Sequence, residues 1–115
     1  MTMLDTAQFT GTEQWHRHGL VRSVTYTDGA RYVAETAGAY WLLDKIATVG
    51  TMDPAVRKEG FQVWRLAVKG DSATLIAEDG DDNVIYSEEI SYTDFPAPGV
   101  TLWMCDSVIL LPSEY

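Results

Sequence analysis

Apolar residues recur with a helical period in one stretch of the chain, residues 39–49. The apolar positions of this stretch are Ala39, Leu42, Leu43, Ile46 and Val49. Their spacing of three and four residues places them on one face of a helix, which can pack against a sheet. The pattern therefore predicts the main helix over residues 39–49, and Gly50 is expected to end it.

A second, shorter helix is predicted over residues 54–59. Asp53 precedes this segment and can act as its N-cap, because the carboxylate accepts a hydrogen bond from a free backbone N–H. Pro54 then occupies the first helical position, where the missing N–H of proline has no cost. Gly60 is expected to end the helix.

After Gly60 the apolar residues alternate with polar ones, and this period of two is typical of half-buried strands. The predicted strands cover residues 61–68, 73–78, 84–90, 100–104 and 108–111. Asp106 and Ser107 separate the last two and indicate a tight turn between them.

A hairpin is predicted earlier in the chain, where Asp28 and Gly29 separate residues 24–27 from residues 30–34. An Asp-Gly pair readily adopts the positive φ angles of a type I′ turn. Together, these elements predict an α+β fold. It consists of an antiparallel sheet of about six or seven strands, with the main helix packed on one face and the short helix beside it.

The length and net charge exclude several classes of protein. The chain has 115 residues, 46% of them hydrophobic, which predicts a single domain over residues 1–115. Its net charge is −9, whereas nucleic acids and anionic membranes attract basic surfaces. We therefore expect no direct binding of nucleic acid and no membrane binding.

A cytoplasmic location is expected from the cysteine count and the N-terminus. Cys105 is the only cysteine, so no disulfide can form within the chain. The first residues lack the basic and apolar regions of a signal peptide, and no apolar run reaches the ~18 residues of a membrane-spanning helix.

The charges are distributed unevenly along the chain. All eight Lys and Arg residues lie in residues 1–69, which carry a net charge of +1. Residues 70–115 contain ten acidic residues and no Lys or Arg, which gives a net charge of −10. The C-terminal part is therefore expected to present a negative potential, which favours a basic partner.

Six acidic residues and one aromatic residue are the predicted partner-binding residues. They are Glu78, Asp79, Asp81, Asp82, Glu88, Glu89 and Trp41. The acids cluster around one turn and the strand that follows it, and Trp41 flanks the apolar stripe of the main helix. We expect a protein-binding or inhibitor module that engages a basic protein partner through this acidic part. The alternative for the acids is a solvated turn that only aids solubility.

His16 and His18 are the basis of a second hypothesis, a small metal-dependent or His/carboxylate enzyme. In a strand the two imidazoles would share a face, and Glu13 or Glu35 could supply a carboxylate. Two histidines fall short of the usual three protein ligands of a catalytic zinc, and the phosphate-loop, dinucleotide, hydrolase and zinc-protease motifs are absent. We therefore assign no metal site, cofactor or catalytic residue, and retain His16, His18 and Glu13 as candidates only.

A third hypothesis is a structural homodimer with no catalytic role. In this arrangement the acidic C-terminal part of one copy would contact the part of a second copy that carries the Lys and Arg residues. The net charge of +1 on residues 1–69 gives this pairing only a small electrostatic attraction. Monomer and homodimer both remain open at this point.

Four segments of the chain resemble a family of small bacterial proteins. The segments are residues 9–20 (FTGTEQWHRHGL), 26–44 (YTDGARYVAETAGAYWLLD), 92–96 (YTDFP) and 111–115 (LPSEY). The family is common in plasmid- and phage-rich genomes and is classed as a domain of unknown function. The resemblance implies a small intracellular α+β domain, and it implies no catalytic or binding residue.

Overall fold

The protein forms one seven-stranded sheet with helices packed on one face. The structure, a computed structural model, describes Leu4, Thr6, residues 8–12 and residues 14–115. Its strands are β1 Trp15–Arg17, β2 Thr25–Thr27, β3 Phe61–Lys69, β4 Ser72–Glu78, β5 Val84–Ile90, β6 Gly99–Cys105 and β7 Val108–Leu110. Its helices are α1 Asp28–Thr36, α2 Tyr40–Met52 and α3 Pro54–Arg57, and a 3₁₀ turn covers Pro112–Glu114. The α+β class and the number of strands are confirmed.

The order of the strands is β1-β2-β7-β6-β3-β4-β5, so β1 and β5 form the two edges. Neighbouring strands are antiparallel except for β2 and β7, which run parallel. The last strand in the chain, β7, therefore lies between β2 and β6 and joins the N-terminal strands to the rest of the sheet.

The main core lies between the helices and one face of the sheet. Alternate residues of a strand point to opposite faces, so Trp64 and Leu75 point to the helices and pack with Leu42 and Ile46 of α2. The opposite face of β3 to β7, which we call the open face, has no described α-helix on it. Its residues include Val63, which is buried without belonging to the main core.

The prediction of the main helix is confirmed, and α2 extends three residues beyond its predicted end, to Met52. The expectation that Gly50 ends this helix was wrong. Gly50 is buried inside α2, and a Cβ atom there would lie 2.4 Å from Cε of Met104 and 2.7 Å from Oε1 of Gln62. Its small size allows the helix to approach the sheet. In the described part of the chain, no helix is long and apolar enough to cross a membrane.

The second helix is confirmed in position and is shorter than predicted, since α3 ends at Arg57. Asp53 caps it as expected: its carboxylate accepts a hydrogen bond from the backbone N–H of Ala55 at 2.9 Å. The turn at Asp106 and Ser107 is also confirmed, with φ angles of 51° and 68°.

The hairpin predicted at Asp28 and Gly29 was wrong, because α1 begins at this point. Thr27 caps the helix by accepting a hydrogen bond from the N–H of Ala30. Gly29 is buried under Glu114, whose carboxylate accepts a hydrogen bond from the Gly29 N–H at 3.0 Å. A Cβ atom on Gly29 would lie 2.5 Å from that carboxylate. Glycine at this position therefore allows the Glu114 side chain to approach the backbone closely, and it does not form a turn with positive φ.

Candidate functional site

A groove lies between helix α2 and the edge strand β5. Its volume is about 380 Å³, and its walls include Trp41, Lys45, Glu88, Ile90 and Tyr92. Trp41 is half-buried against the core, whereas Tyr92 is 71% exposed and available for contact. A smaller depression continues along α2 beyond Trp41 and Lys45. The groove thus offers two aromatic side chains of the kind that dominate protein interfaces.

An ion pair connects the two walls of the groove, and a hydrogen bond within β5 supports its carboxylate. Nζ of Lys45 lies 3.1 Å from Oε1 of Glu88, and the hydroxyl of Tyr86 donates to the same oxygen at 2.6 Å. The hydrogen bonds from Tyr86 and Lys45 hold the pKa of the Glu88 carboxyl below its usual value. Burial, followed by the bond to Glu88, raises the pKa of Tyr86 to about 12.

Strand β5 leaves one of its edges unpaired. It pairs with β4 on one side, and no described strand pairs with its other side. Alternate residues of such a strand direct their backbone N–H and C=O groups outward. Because Glu88 and Ile90 of β5 also line the groove, the free edge and the groove form one continuous surface. This arrangement can accept an extended peptide as an additional strand.

The predicted acidic residues of the strands lie on both faces of the sheet around this edge. Glu88 faces the helices, whereas Glu78 and Glu89 lie on the open face. Nε of Arg65 donates to Glu78 at 2.6 Å, and the hydroxyl of Thr74 donates to Glu89 at 3.1 Å. The acids therefore surround the edge of the sheet and do not form one flat patch.

The remaining predicted acids, Asp79, Asp81 and Asp82, lie in the turn between β4 and β5. Asp79 organises this turn, since its carboxylate accepts the backbone N–H groups of Asp81 at 2.8 Å and Asn83 at 3.0 Å. These hydrogen bonds, the one from Asn83 first, lower the pKa of Asp79. Asp81 and Asp82 are exposed, so their charges add to the negative potential at the end of β5.

His16 lies in β1, at the opposite edge of the sheet. Its Nε2 is 3.0 Å from Oδ1 of Asp28, and its ring packs on Tyr26 with centroids 5.4 Å apart. Glu35, a carboxylate considered for the enzyme hypothesis, instead accepts a hydrogen bond from Nε of Arg31 at 2.7 Å. That bond is the main cause of a lowered pKa at Glu35.

Both ring nitrogens of His18 already have hydrogen-bond partners. Nδ1 accepts the backbone N–H groups of Leu20 at 3.2 Å and Val21 at 2.9 Å, so Nε2 carries the proton and donates to Asp44 at 2.8 Å. His16 and His18 thus bind different carboxylates. Glu13 lies outside the described residues. Among the residues that are described, no group of three or more His, Cys, Asp or Glu side chains could hold a metal ion.

A larger cavity, of about 570 Å³, lies at the other end of the sheet, between the ends of α2 and α3 and the turn after β6. Its charged residues are balanced, because Arg57 and Lys58 are accompanied by Glu59 and Asp106. Gln62 at its base already donates to Gly50, Val56 and Glu59 and accepts from Trp64. This cavity therefore favours no particular ligand charge, unlike the groove.

Residues 2–115 match the family of unknown function DUF6876. The chain belongs to this family. Membership of DUF6876 confirms the resemblance to a family of unknown function and covers nearly the whole chain. Comparison with curated proteins and with solved structures gives no match.

Sequence reasoning missed two residues of the groove in this DUF6876 member, Lys45 and Tyr92. In the sequence, Lys45 is recognisable only as a residue on the polar side of the main helix. Its ion pair with Glu88 joins residues that are far apart in the chain, so no local pattern indicates it. Tyr92 lies two residues after the predicted strand 84–90, and nothing in the sequence pattern there indicates that its side chain is exposed beside α2.

Proposed function

We propose that this protein is a binding module that captures a basic, extended segment of a partner protein along the free edge of β5. The observation that carries the proposal is the continuity of this edge with the groove that contains Trp41 and Tyr92. Backbone hydrogen bonds to β5 would supply affinity, and the groove would select the side chains that alternate along the bound segment.

The charge around β5 supports a basic partner. Residues 70–115 contain no Lys or Arg, and seven of their ten acids lie in the turn before β5, in β5 itself, at the end of β4 or just after β5. Among the described residues that line the groove, Lys45 is the one cation, and it is already paired with Glu88. Lys and Arg side chains of a bound segment would therefore meet acids such as Asp94 and Asp81 without competing cations. This attraction raises the association rate and weakens with added salt.

A random peptide library displayed on phage, selected against the purified protein, tests the proposal. We expect enriched peptides that combine Lys or Arg with β-branched residues, because the latter favour the extended conformation. Asp94→Lys and Tyr92→Ala should each weaken binding of a synthetic copy of the best peptide by about tenfold, the loss expected when one good interface contact is removed.

Glu59→Lys is the matched control, since it makes the same change in net charge in the larger cavity, outside the groove, and should leave binding in the groove unchanged. Amide chemical shifts of residues 84–90 should change on titration with the peptide, and the affinity should fall as salt is added. Enrichment of acidic or of purely apolar peptides, or equal losses in Asp94→Lys and Glu59→Lys, would refute the proposal.

A further inference from the structure

The open face carries an aromatic cluster that is separate from the main core. The ring centroids of Phe61 and Trp103 are 5.1 Å apart in an edge-to-face arrangement, and Tyr115 lies 5.5 Å from Trp103 and 6.5 Å from Phe61. Beneath them, Val63 and Leu110 are the direct register neighbours of Trp103 on the two flanking strands. These five residues form a continuous apolar strip across β3, β6 and β7.

The strip is only partly covered within one molecule. Val63 and Leu110 are 9% and 7% exposed, whereas Tyr115 is 78% exposed and Trp103 is half-buried. Ile76 extends the apolar surface onto β4 and is also half-buried outside the main core. No described α-helix packs on this side of the sheet. A surface of this kind, with a central tryptophan, is typical of a contact with another protein.

The charge of the open face identifies the kind of partner. On strands β3 to β7 the charged residues of this face are Arg65, Lys69, Glu78 and Glu89, so its net charge is zero. The whole chain carries −9, so two copies repel each other over most of their surfaces. The open face is a surface on which two equally acidic copies can meet without that repulsion.

The size of the face is also sufficient for a pair of copies. At about 4.8 Å between strands and about 3.3 Å per residue, β6, β3, β4 and β5 present about 450 Å² of face in each copy. Two faces together give about 900 Å², and β7 and Tyr115 bring the total near the ~1,000 Å² at which specific interfaces begin.

We infer that the open face mediates a symmetric homodimer in which the strips around Trp103 of two copies pack against each other. This contact differs from a pairing of the acidic part of one copy with the basic part of another, because both copies use the same uncharged strip. The groove and the free edge of β5 remain accessible in the dimer, so the inference is independent of the proposed function.

Sedimentation velocity over a dilution series of the intact protein tests the inference. We expect a concentration-dependent monomer–dimer equilibrium. Because the contact is apolar, added NaCl should leave it unchanged or strengthen it, whereas binding in the acidic groove should weaken. Cys105, which shares the open face with Trp103, provides a second measurement in the same samples. Its alkylation rate should fall as the protein concentration rises.

Ile76→Lys is the informative variant, because its lysine head can reach solvent in the monomer but would be enclosed in the dimer. It should raise the dissociation constant by at least about tenfold, and Trp103→Ala should act in the same direction. Tyr92→Ala, which removes an exposed aromatic side chain from the groove, is the matched control and should leave the dimer unchanged. Circular dichroism shows whether each variant is folded. If Trp103→Ala does not fold, the result for Ile76→Lys alone tests whether the open face forms the dimer contact.

A monomer at every concentration up to the millimolar range, with a constant alkylation rate of Cys105, would overturn the inference. A dimer that persists in Ile76→Lys would also overturn it, because the contact would then lie elsewhere.

Discussion

His18 connects the segment that follows β1 to the main helix α2 through three hydrogen bonds. The ring is 3% exposed, accepts two backbone N–H groups at Nδ1 and donates to Asp44 at Nε2. An imidazole that uses both nitrogens in this way cannot bind a metal or accept a proton without giving up one of these bonds. At the scale of single residues, the hydrogen bonds therefore support a structural role for His18.

Replacing His18 by Ala should lower the free energy of unfolding by about 2 kcal/mol, because the buried imidazole and its hydrogen bonds to Leu20, Val21 and Asp44 are lost together. Urea denaturation measures this change. His16→Ala is the neighbouring control: among the described residues the His16 side chain bonds only to Asp28, so its loss should cost less than about 1 kcal/mol. Equal losses in the two variants would contradict the structural role of His18, and ¹⁵N spectra at alkaline pH should show the Nε2–H tautomer.

The elements that depend on local pattern could be predicted from the sequence, and those that depend on distant contacts could not. The apolar stripe of α2 and the alternation of β3 to β6 repeat over seven or more residues, so their types followed directly. The segment around Asp28 and Gly29 carried a strong local turn signal. Its helical state is stabilised both by the Thr27 cap and by Glu114, more than eighty residues away, and no local pattern reports the contact with Glu114.

The candidate site divides in the same way. In the sequence, Trp41 stands out as an aromatic residue beside the apolar stripe of a helix, and Glu88 stands out as a member of an acidic cluster. The structure places both side chains in the groove. Lys45 and Tyr92 could not be placed there from spacing, because the register of β5 against α2 is a tertiary property. Two of the acids, Glu78 and Glu89, lie on the open face, whereas Glu88 lies on the helix-covered face. The alternation of a strand assigns residues to faces only when the pairing register of the strand is known.

The contact between α2 and β5 should give the stability a specific pH dependence. The folded-state pKa of Glu88 is lowered, so its contribution is complete above the unfolded value of about 4.3 and is lost as the pH falls through the folded value. Glu88→Gln should therefore be less stable than the native protein at neutral pH. It should also lose less stability between about pH 5 and pH 3. Urea midpoints across this range measure the difference.

Glu89→Gln, on the other face of the same strand, is the control for the removal of one carboxylate from β5. If the stability of Glu88→Gln declines in parallel with that of the native protein, the ion pair with Lys45 and the bond from Tyr86 contribute nothing to the acid sensitivity.

At the scale of the whole molecule, the distribution of charge limits stability as well as partner choice. Seven of the ten acids after residue 69 crowd the β5 side of the sheet, and the cations of β3 and α2 that reach them, Arg65 and Lys45, are each paired with one acid. The remaining acids repel one another, and this repulsion opposes folding.

Raising the ionic strength to about 0.5 M should therefore increase the melting temperature, since the Debye length then falls to a few ångströms. Differential scanning calorimetry in NaCl measures the effect. Asp81→Asn/Asp94→Asn removes two exposed charges from this region and should show a smaller increase. A melting temperature that does not respond to salt would mean that the acids are too far apart to interact.

The position of β7 determines when the protein can fold during synthesis. Within the described chain, Val108–Leu110 is the strand through which β2 joins the sheet, and α1 begins directly after β2. The strands β3 to β6 are consecutive neighbours or close the sheet by short connections, so they can pair while the ribosome is still translating. The N-terminal strands and α1 have no sheet to join until β7 leaves the exit tunnel. Completion of this fold therefore requires that residues 108–110 have left the ribosome, and a nascent chain stalled before that point would carry α1 undocked.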